Sequence, residues 1–454
     1  MKLYLFFICA GMKSYLNRIR KSEFLRNVFT LVTASSIAQA VSILIYPLLT
    51  RMYTPDDMGL FSLYLSIVTL TGIFSTGKYE LAIMLPSEQK SADTLFSLCI
   101  LIVTSVSLLL MVPAVFFRSW FSGFLGNREL APWLLFVPLS TLLIGYFQVF
   151  QYRANRIKAY GSIASANLGQ SLVNSGVKLG SSNLFASGGG LIAGSIAGQL
   201  AGLVVYLREW KWSEMKWKLN PGELWQQAAR YKNFPRFNLL HYLVNNFSSS
   251  LPVFLFSARV GAAEAGFYSL GFMMVNRPMN LITASLTQVF SQRIIQKYQG
   301  GQTISTDVKK LVWRLFCFGL LPFILAGLLG PGLFELIFGE EWREAGRYMQ
   351  VLLPWLFLVL LSSPLSFLPD MLNRQQKAMW IDVVKFILRA LALTAGIVAG
   401  SAYTGLCLFG LISALAVGYN LVWYFQLSAT AGQNTGSPNR SAVLKGSEEA
   451  SEAL

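Results

Sequence analysis

The stretch "RMYTPDDMGLFSLY", Arg51 to Tyr64, returns later in the chain as "RVGAAEAGFYSLG", Arg259 to Gly271. Each reads arginine, a short polar turn, glycine, two bulky residues, serine and leucine. One gap aligns Gly59-Leu60-Phe61-Ser62-Leu63 with Gly266-Phe267-Tyr268-Ser269-Leu270, an offset of 207. Upstream, "FLRN" (Phe24 to Asn27) matches "FPRF" (Phe234 to Phe237) at an offset of 210. Short apolar strings echo one another by chance, but two matches at nearly one offset predict that the second half of the chain repeats the first.

The composition says where such a repeat lives. Hydrophobic residues make up 54% of the chain and charged residues only 13%, with a mean hydropathy of +0.51. A soluble domain carries roughly 25% charged residues, so this chain lacks the polar surface to enclose its apolar content in water. A membrane protein is expected. Cys9, Cys99, Cys317 and Cys407 lie far apart in apolar runs with no metal-ligand or CxxC spacing, which reads as membrane-packed thiols. His241 is the single histidine, so neither a histidine-rich metal site nor a Ser-His-Asp triad is indicated. Nothing in the pattern reads as an enzyme.

Apolar windows near the ~20 residues needed to cross a bilayer fall near 27–50, 58–77, 94–117, 130–152, 187–207, 237–258, 265–290, 311–331, 348–369, 379–400 and 402–426. A further span is expected in "GSIASANLGQSLVNSGVKLGSSNL", Gly161 to Leu184, whose polar residues hide it from hydropathy. Without it the basic loops Arg153–Lys158 and Arg208–Arg236 fall on opposite sides of the membrane. With it, twelve spans and a cytoplasmic N-terminus leave only Arg51, Arg118, Arg128, Arg259, Arg343 and Arg347 outside and Lys178, Arg277 and Arg389 within helices, so the other 28 of the 37 basic residues face the cytoplasm. That asymmetry obeys the positive-inside rule and accounts for most of the +16 net charge without any nucleic acid.

The organisation expected is a cytoplasmic N-terminal segment (1–26), helices 1–6 (27–207), a basic cytoplasmic linker (208–236), helices 7–12 (237–427) and a disordered cytoplasmic tail (428–454). The apolar run before Met12 is too short to span. A signal peptide and an extension ahead of a start at Met12 both fit it, the second better. Because six spans separate the two copies, both halves enter the membrane in the same direction. The fold class is thus an all-α polytopic membrane protein of about twelve helices in two parallel six-helix lobes, an arrangement suited to alternating access around a central site.

Polar groups within apolar helices mark such a site, since a charge at the bilayer centre costs ~2.5–3.5 kcal/mol or more. Three cations lie there, Lys178, Arg277 and Arg389, while the nearest acids, Glu80, Glu264 and Asp382, border their helices. A cavity attracting anions is expected. Arg277, in "MMVNRPMN" with Asn276 beside it, leads the set, although carbonyls freed by Pro278 are an alternative partner. Lys178 is placed either to line the cavity or to snorkel outward. Arg389 shares a face with Asp382 and Lys385, and that face is either cavity or an internally paired helix entry. Gln148, Gln151, Gln170, Asn245, Asn246 and Gln288 suit sugar recognition and equally suit helix–helix bonding.

At "LLTRMYTPDDMGLFSLYLSIV", Leu48 to Val68, and "GKYELAIMLP", Gly77 to Pro86, the chain resembles the polysaccharide-biosynthesis flippases of the MOP exporter superfamily, the O-antigen and capsule unit translocases. "QYRANRIKAY" (Gln151 to Tyr160), "GFYSLGFMMVNRPMNLITASLTQVFSQRI" (Gly266 to Ile294) and "RQQKAMW" (Arg374 to Trp380) extend the likeness along most of the chain. The resemblance implies a MATE-like fold in the bacterial inner membrane. It also implies a cargo of oligosaccharide on undecaprenyl pyrophosphate, moved from the cytoplasmic to the outer leaflet, and cationic cavity residues that meet the pyrophosphate. Arg277 matches the place of a functional arginine in related lipid II flippases. The chain departs from those relatives in having no basic residue inside its first or second span. Lys78 and Glu80, bordering the second, complete the candidate set. The implied partners are the lipid-linked oligosaccharide, membrane lipids, and a polysaccharide polymerase with its chain-length machinery. No cofactor is implied beyond a coupling ion, H+ or Na+.

Two rivals stand beside this reading. A MATE-type multidrug antiporter needs a membrane-embedded carboxylate for its cation, and the first and seventh spans have none. A membrane polymerase or glycosyltransferase needs a large loop bearing catalytic residues, and the longest outer loop, around Arg118 to Glu129, is short.

Overall fold

The computed structural model describes residues 36–185, 188–209, 220–372 and 374–433. Met12, Cys9, the "FLRN" copy, part of the basic linker and the tail beyond residue 433 lie outside the described residues. The long helices are α1 (Ser36–Leu49), α2 (Pro55–Thr76), α3 (Gln89–Phe116), α4 (Val137–Arg156), α5 (Tyr160–Gly180) and α6 (Gly189–Glu209), followed by α7 (Leu239–Arg259), α8 (Ala262–Gln299), α9 (Ser305–Phe338), α10 (Arg343–Ser362), α11 (Gln375–Ala399) and α12 (Ala402–Gln433). They fall in the order of the twelve expected spans, and the described residues contain no strand. By length and composition α2, α3, α6, α9, α10 and α12 qualify to cross a membrane, and α4 joins them when taken with Arg128–Leu134, from which it bends by 54°. The protein is an all-α, multi-pass membrane protein.

The polar opening of the repeat motif is a helix start. Thr54 accepts a bond from the Asp57 amide at 3.3 Å, and the Asp57 carboxylate accepts one from the Thr54 amide at 2.9 Å. Pro55 sits in the first turn, where its missing N–H costs nothing, and Asp56 and Asp57 complement the helix dipole there. At the far end Gly77 and Lys78 both take left-handed backbone conformations, φ +56° and +62°, and turn the chain into the short 3-10 helix Tyr79–Met84.

The chain divides into two compact units. One holds Met1–Met274 with Pro331–Tyr348 and Gly400–Ala402; the other holds Val275–Gly330, Met349–Ala399 and Tyr403–Leu454. This partition is not the six-plus-six division, because α7 and the start of α8 pack with the first unit.

Within the first unit the two copies of the repeat motif meet. A Cβ on Gly59 would overlap the Ala262 carbonyl, and a Cβ on Gly266 would overlap the Pro55 carbonyl. Ala262 stands 207 positions after Pro55, as Gly266 does after Gly59, so the contact is reciprocal. A pseudo-twofold axis through the crossing of α2 and α8 produces this pattern. The bulky residues of both copies point into the core, with Leu60, Phe61, Leu63, Tyr268 and Leu270 all buried. The turn before α10 and the start of α10 close on the same end: the Trp342 indole donates to the Thr50 carbonyl at 3.1 Å, and the Tyr348 hydroxyl to the Glu264 carboxylate at 2.5 Å.

The polar α5 is explained by its neighbours. Gly194, Gly198 and Gly202 of α6 bring that backbone so near α5 that added Cβ atoms would strike Lys178, Asn174 and Gln170. Small residues every fourth position permit such close helix packing. On α5's contact with α1, the Ser171 hydroxyl donates to the Ala38 carbonyl at 2.7 Å. Much of the polarity of α5 therefore holds helices together. In the second unit Ile294, Val308, Leu361, Leu365 and Trp423 form a core, and Gly396 lets α11 lie directly against the α12 backbone at Gly405.

Candidate functional site

The three cations on α5, α8 and α11 have different surroundings. Lys178 is buried, 7% exposed, with its ammonium 4.3 Å from the centre of the Phe61 ring. Tyr53 donates a 2.7 Å bond to the Lys178 carbonyl. Arg389, 3% exposed, lies 4.7 Å from the Trp355 ring and 5.3 Å from the Phe409 ring. An aromatic face attracts a desolvated cation by about 2 kcal/mol, which offsets much of the cost of placing it in hydrocarbon. These aromatic neighbours of the two charges were not indicated by the sequence. Asp382 and Lys385 pair with each other at 2.5 Å, the internally paired form of that face.

Arg277 differs. It sits mid-way along α8 and is half-buried, as is Asn276. Pro278 removes the donor that would meet the Met274 carbonyl, leaving polar backbone near the guanidinium. Its remaining exposed surface is what a ligand would reach.

The amides separate by environment. Asn245 is exposed on α7, while Asn246 donates to the Tyr242 carbonyl at 2.8 Å, a bond within its own helix. Gln170 packs against the α6 glycines. Gln148 and Gln151 are half-buried on α4, and the Gln148 carbonyl oxygen is buried with no hydrogen bond among the described residues.

The structure gives most to the pair the sequence placed last. Lys78 and Glu80 form an ion pair at 3.3 Å with side chains 9% and 2% exposed. The left-handed Lys78 backbone turns its side chain toward α7, where the ammonium lies 4.3 Å from the Tyr242 ring centre. Glu80, expected at a helix border, is deeply buried, and its Oε2 has no hydrogen-bond partner among the described residues. Next to it, burial raises the Tyr79 hydroxyl above its ordinary range and keeps it a donor to the Ala228 carbonyl at 3.1 Å. Replacing Lys78 with Met should destabilise the protein by about 3–5 kcal/mol, because it strands the Glu80 charge; Lys78→Met with Glu80→Gln should cost less. Thermal unfolding of the purified variants checks this, and a double variant worse than the single would remove the pair's role.

Sequence reasoning missed Tyr242 and a second buried pair, Arg153 with Asp93, whose guanidinium lies 5.1 Å from the Phe96 ring. Arg156 donates to the carbonyls of Ile83 and Pro86 at 3.0 and 2.7 Å. Arg153 and Arg156 thus clamp the "GKYELAIMLP" segment and its neighbour α3. The joint presence of "QYRANR" and "GKYELAIMLP" was the available signal.

The bundle of membrane helices has a MATE-like fold. The fold matches an inward-facing multidrug resistance MATE family transporter of the MOP superfamily, with a TM-score of 0.60 at 12% identity over 90% of this chain and 96% of that one. It matches the lipid II flippase MurJ in an inward closed conformation with a TM-score of 0.66 at 11% identity, over 89% and 90% of the two chains. A MATE structure in complex with MaL6 gives 0.59 at 13% identity over 89% and 97%. At these identities the likeness is one of fold. The chain belongs to the polysaccharide biosynthesis protein family, whose sequence model matches residues 48–347. No curated protein matches the chain significantly.

Proposed function

We propose that the protein is a flippase that carries an undecaprenyl-pyrophosphate-linked oligosaccharide from the cytoplasmic to the outer leaflet of a bacterial inner membrane, for surface polysaccharide synthesis. The observation that carries this reading is membership of the polysaccharide biosynthesis protein family over a region that includes both copies of the repeat and Arg277. The fold supports it, being shared with a lipid II flippase. Arg277, with Asn276, is the group that meets the pyrophosphate; Lys178 and Arg389, held on aromatic faces, add positive potential. The two six-helix halves are the moving lobes, and both termini face the cytoplasm, as the basic residues require. A polymerase that joins glycan units in the outer leaflet would consume the product.

A strain lacking the protein should lose surface polysaccharide and accumulate the lipid-linked unit on the cytoplasmic leaflet, with unchanged susceptibility to cationic drugs. Drug sensitivity with normal polysaccharide would support the multidrug antiporter instead. In the same strain complemented with Ser401→Cys, an impermeant maleimide added outside should label the protein; labelling only after permeabilisation would reverse the orientation.

A further inference from the structure

The first unit contains a cavity of about 720 Å³ among α2, α3, α4, α7 and the short helix Arg118–Phe124. Its walls are apolar, with Ile67, Leu110, Phe121, Phe124, Leu251 and Phe254 among them, and its one charged lining residue is Arg259. The Thr71 hydroxyl, also in the wall, is already bonded to Thr141 at 2.7 Å, so the interior offers a ligand little polar contact.

Phe247 and Arg259 both line the cavity and stand twelve residues apart on α7. At ~1.5 Å per residue that is ~18 Å, close to the ~15 Å hydrocarbon depth of one leaflet. The cavity therefore runs the depth of a leaflet with a guanidinium at its end. The loop after the short helix folds over the same end of α7: the Ser257 hydroxyl donates to the Leu125 carbonyl at 2.9 Å, and Gly126, at φ +69°, is so close that a Cβ would strike the Ser257 carbonyl. Arg118 opens the short helix and Arg128 follows that loop, in a stretch, residues 117–130, whose one acid is Glu129. All three arginines are exposed, and none forms an ion pair among the described residues.

An apolar slot of leaflet depth with a cation at its mouth fits an amphiphile with an anionic head. We propose that the cavity holds one acyl chain of an anionic glycerophospholipid, with the head-group phosphate at Arg259. Depth selects this lipid, because an apolar slot of one leaflet's depth with an arginine at its end matches an acyl chain of that leaflet beneath an anionic head. The site stands apart from the cargo reading and does not depend on it.

The test uses the full-length protein reconstituted in vesicles of equal parts phosphatidylglycerol and phosphatidylcholine, extracted gently and weighed by native mass spectrometry. Wild type should retain one phosphatidylglycerol with about fivefold preference, the effect of one cation near an anionic head. Arg259→Gln should retain lipid without preference. Ala114→Trp, which fills the cavity from a half-buried wall position, should retain neither. Equal retention of both lipids by wild type, preference surviving in Arg259→Gln, or retention surviving in Ala114→Trp would overturn the proposal. Displacement of phosphatidylglycerol by equimolar undecaprenyl phosphate would also overturn it, by assigning the cavity to the cargo.

Discussion

Replacing Arg277 with Glu should abolish export of surface glycan while leaving the protein at normal abundance in the membrane. Both halves of that expectation come from its environment. Arg277 is half-buried, and substitutions at such a position outside a packed core usually change stability by less than ~1 kcal/mol. Function should respond far more strongly, because a carboxylate in place of the guanidinium repels a pyrophosphate where a cation held it. Arg277→Lys keeps the charge but loses the planar fork that grips two phosphate oxygens at once, so export should fall by about tenfold and not vanish. An arginine that only satisfies carbonyls near Pro278 would behave in the opposite way, lowering abundance while export per molecule survived. The measurement is surface glycan normalised to membrane protein in Arg277→Ala, Arg277→Glu and Arg277→Lys strains. Normal glycan per molecule in the first two would remove Arg277 from the site.

How much of this was legible in the sequence depended on the range of the interaction involved. Composition and window length reported the helices, because crossing a bilayer is a property of each segment alone. The echo of "GLFSL" in "GFYSL" reported the repeat, and the structure shows its physical cause: the glycines allow two helix ends to touch, and the bulky residues after them fill the core. The intramembrane cations were also legible, but their partners were not. Phe61 lies 117 positions from Lys178, and Trp355 and Phe409 lie on other helices than Arg389. Aromatic residues are so frequent in this chain that none announces itself as a ring for a cation. Lys78 and Glu80 were placed low because a helix border suggests water. A left-handed turn, which sequence signals poorly at a lysine, folds both back into the protein. The polar α5 was legible as a helix, but the packing of its Gln170 against the glycines of α6 was not, since only the folded contact shows it.

The crossing of α2 and α8 carries a large expected effect on stability. Gly59→Ala and Gly266→Ala should each sharply reduce the folded yield, although alanine is the better helix former by ~1 kcal/mol. The added methyl meets backbone in both cases, the Ala262 carbonyl in one and the Pro55 carbonyl in the other. Backbone cannot rotate away as a side chain does. The two helices must therefore separate, at a cost at or above the ~1–3 kcal/mol usual for overpacking. Gly176→Ala is the control, because a Cβ there meets nothing within 4 Å; it should be neutral or slightly stabilising. Reciprocity adds a sharper expectation. If one pseudo-twofold axis relates the two contacts, the single variants should cost similar amounts. Once the first methyl has moved the helices apart, the second should find room already made, so the double variant should cost clearly less than the sum. Thermal unfolding of the four purified proteins measures the cycle. Additive costs would mean that the two glycines face separate contacts, and the symmetry read from the repeat would then not extend to the packing.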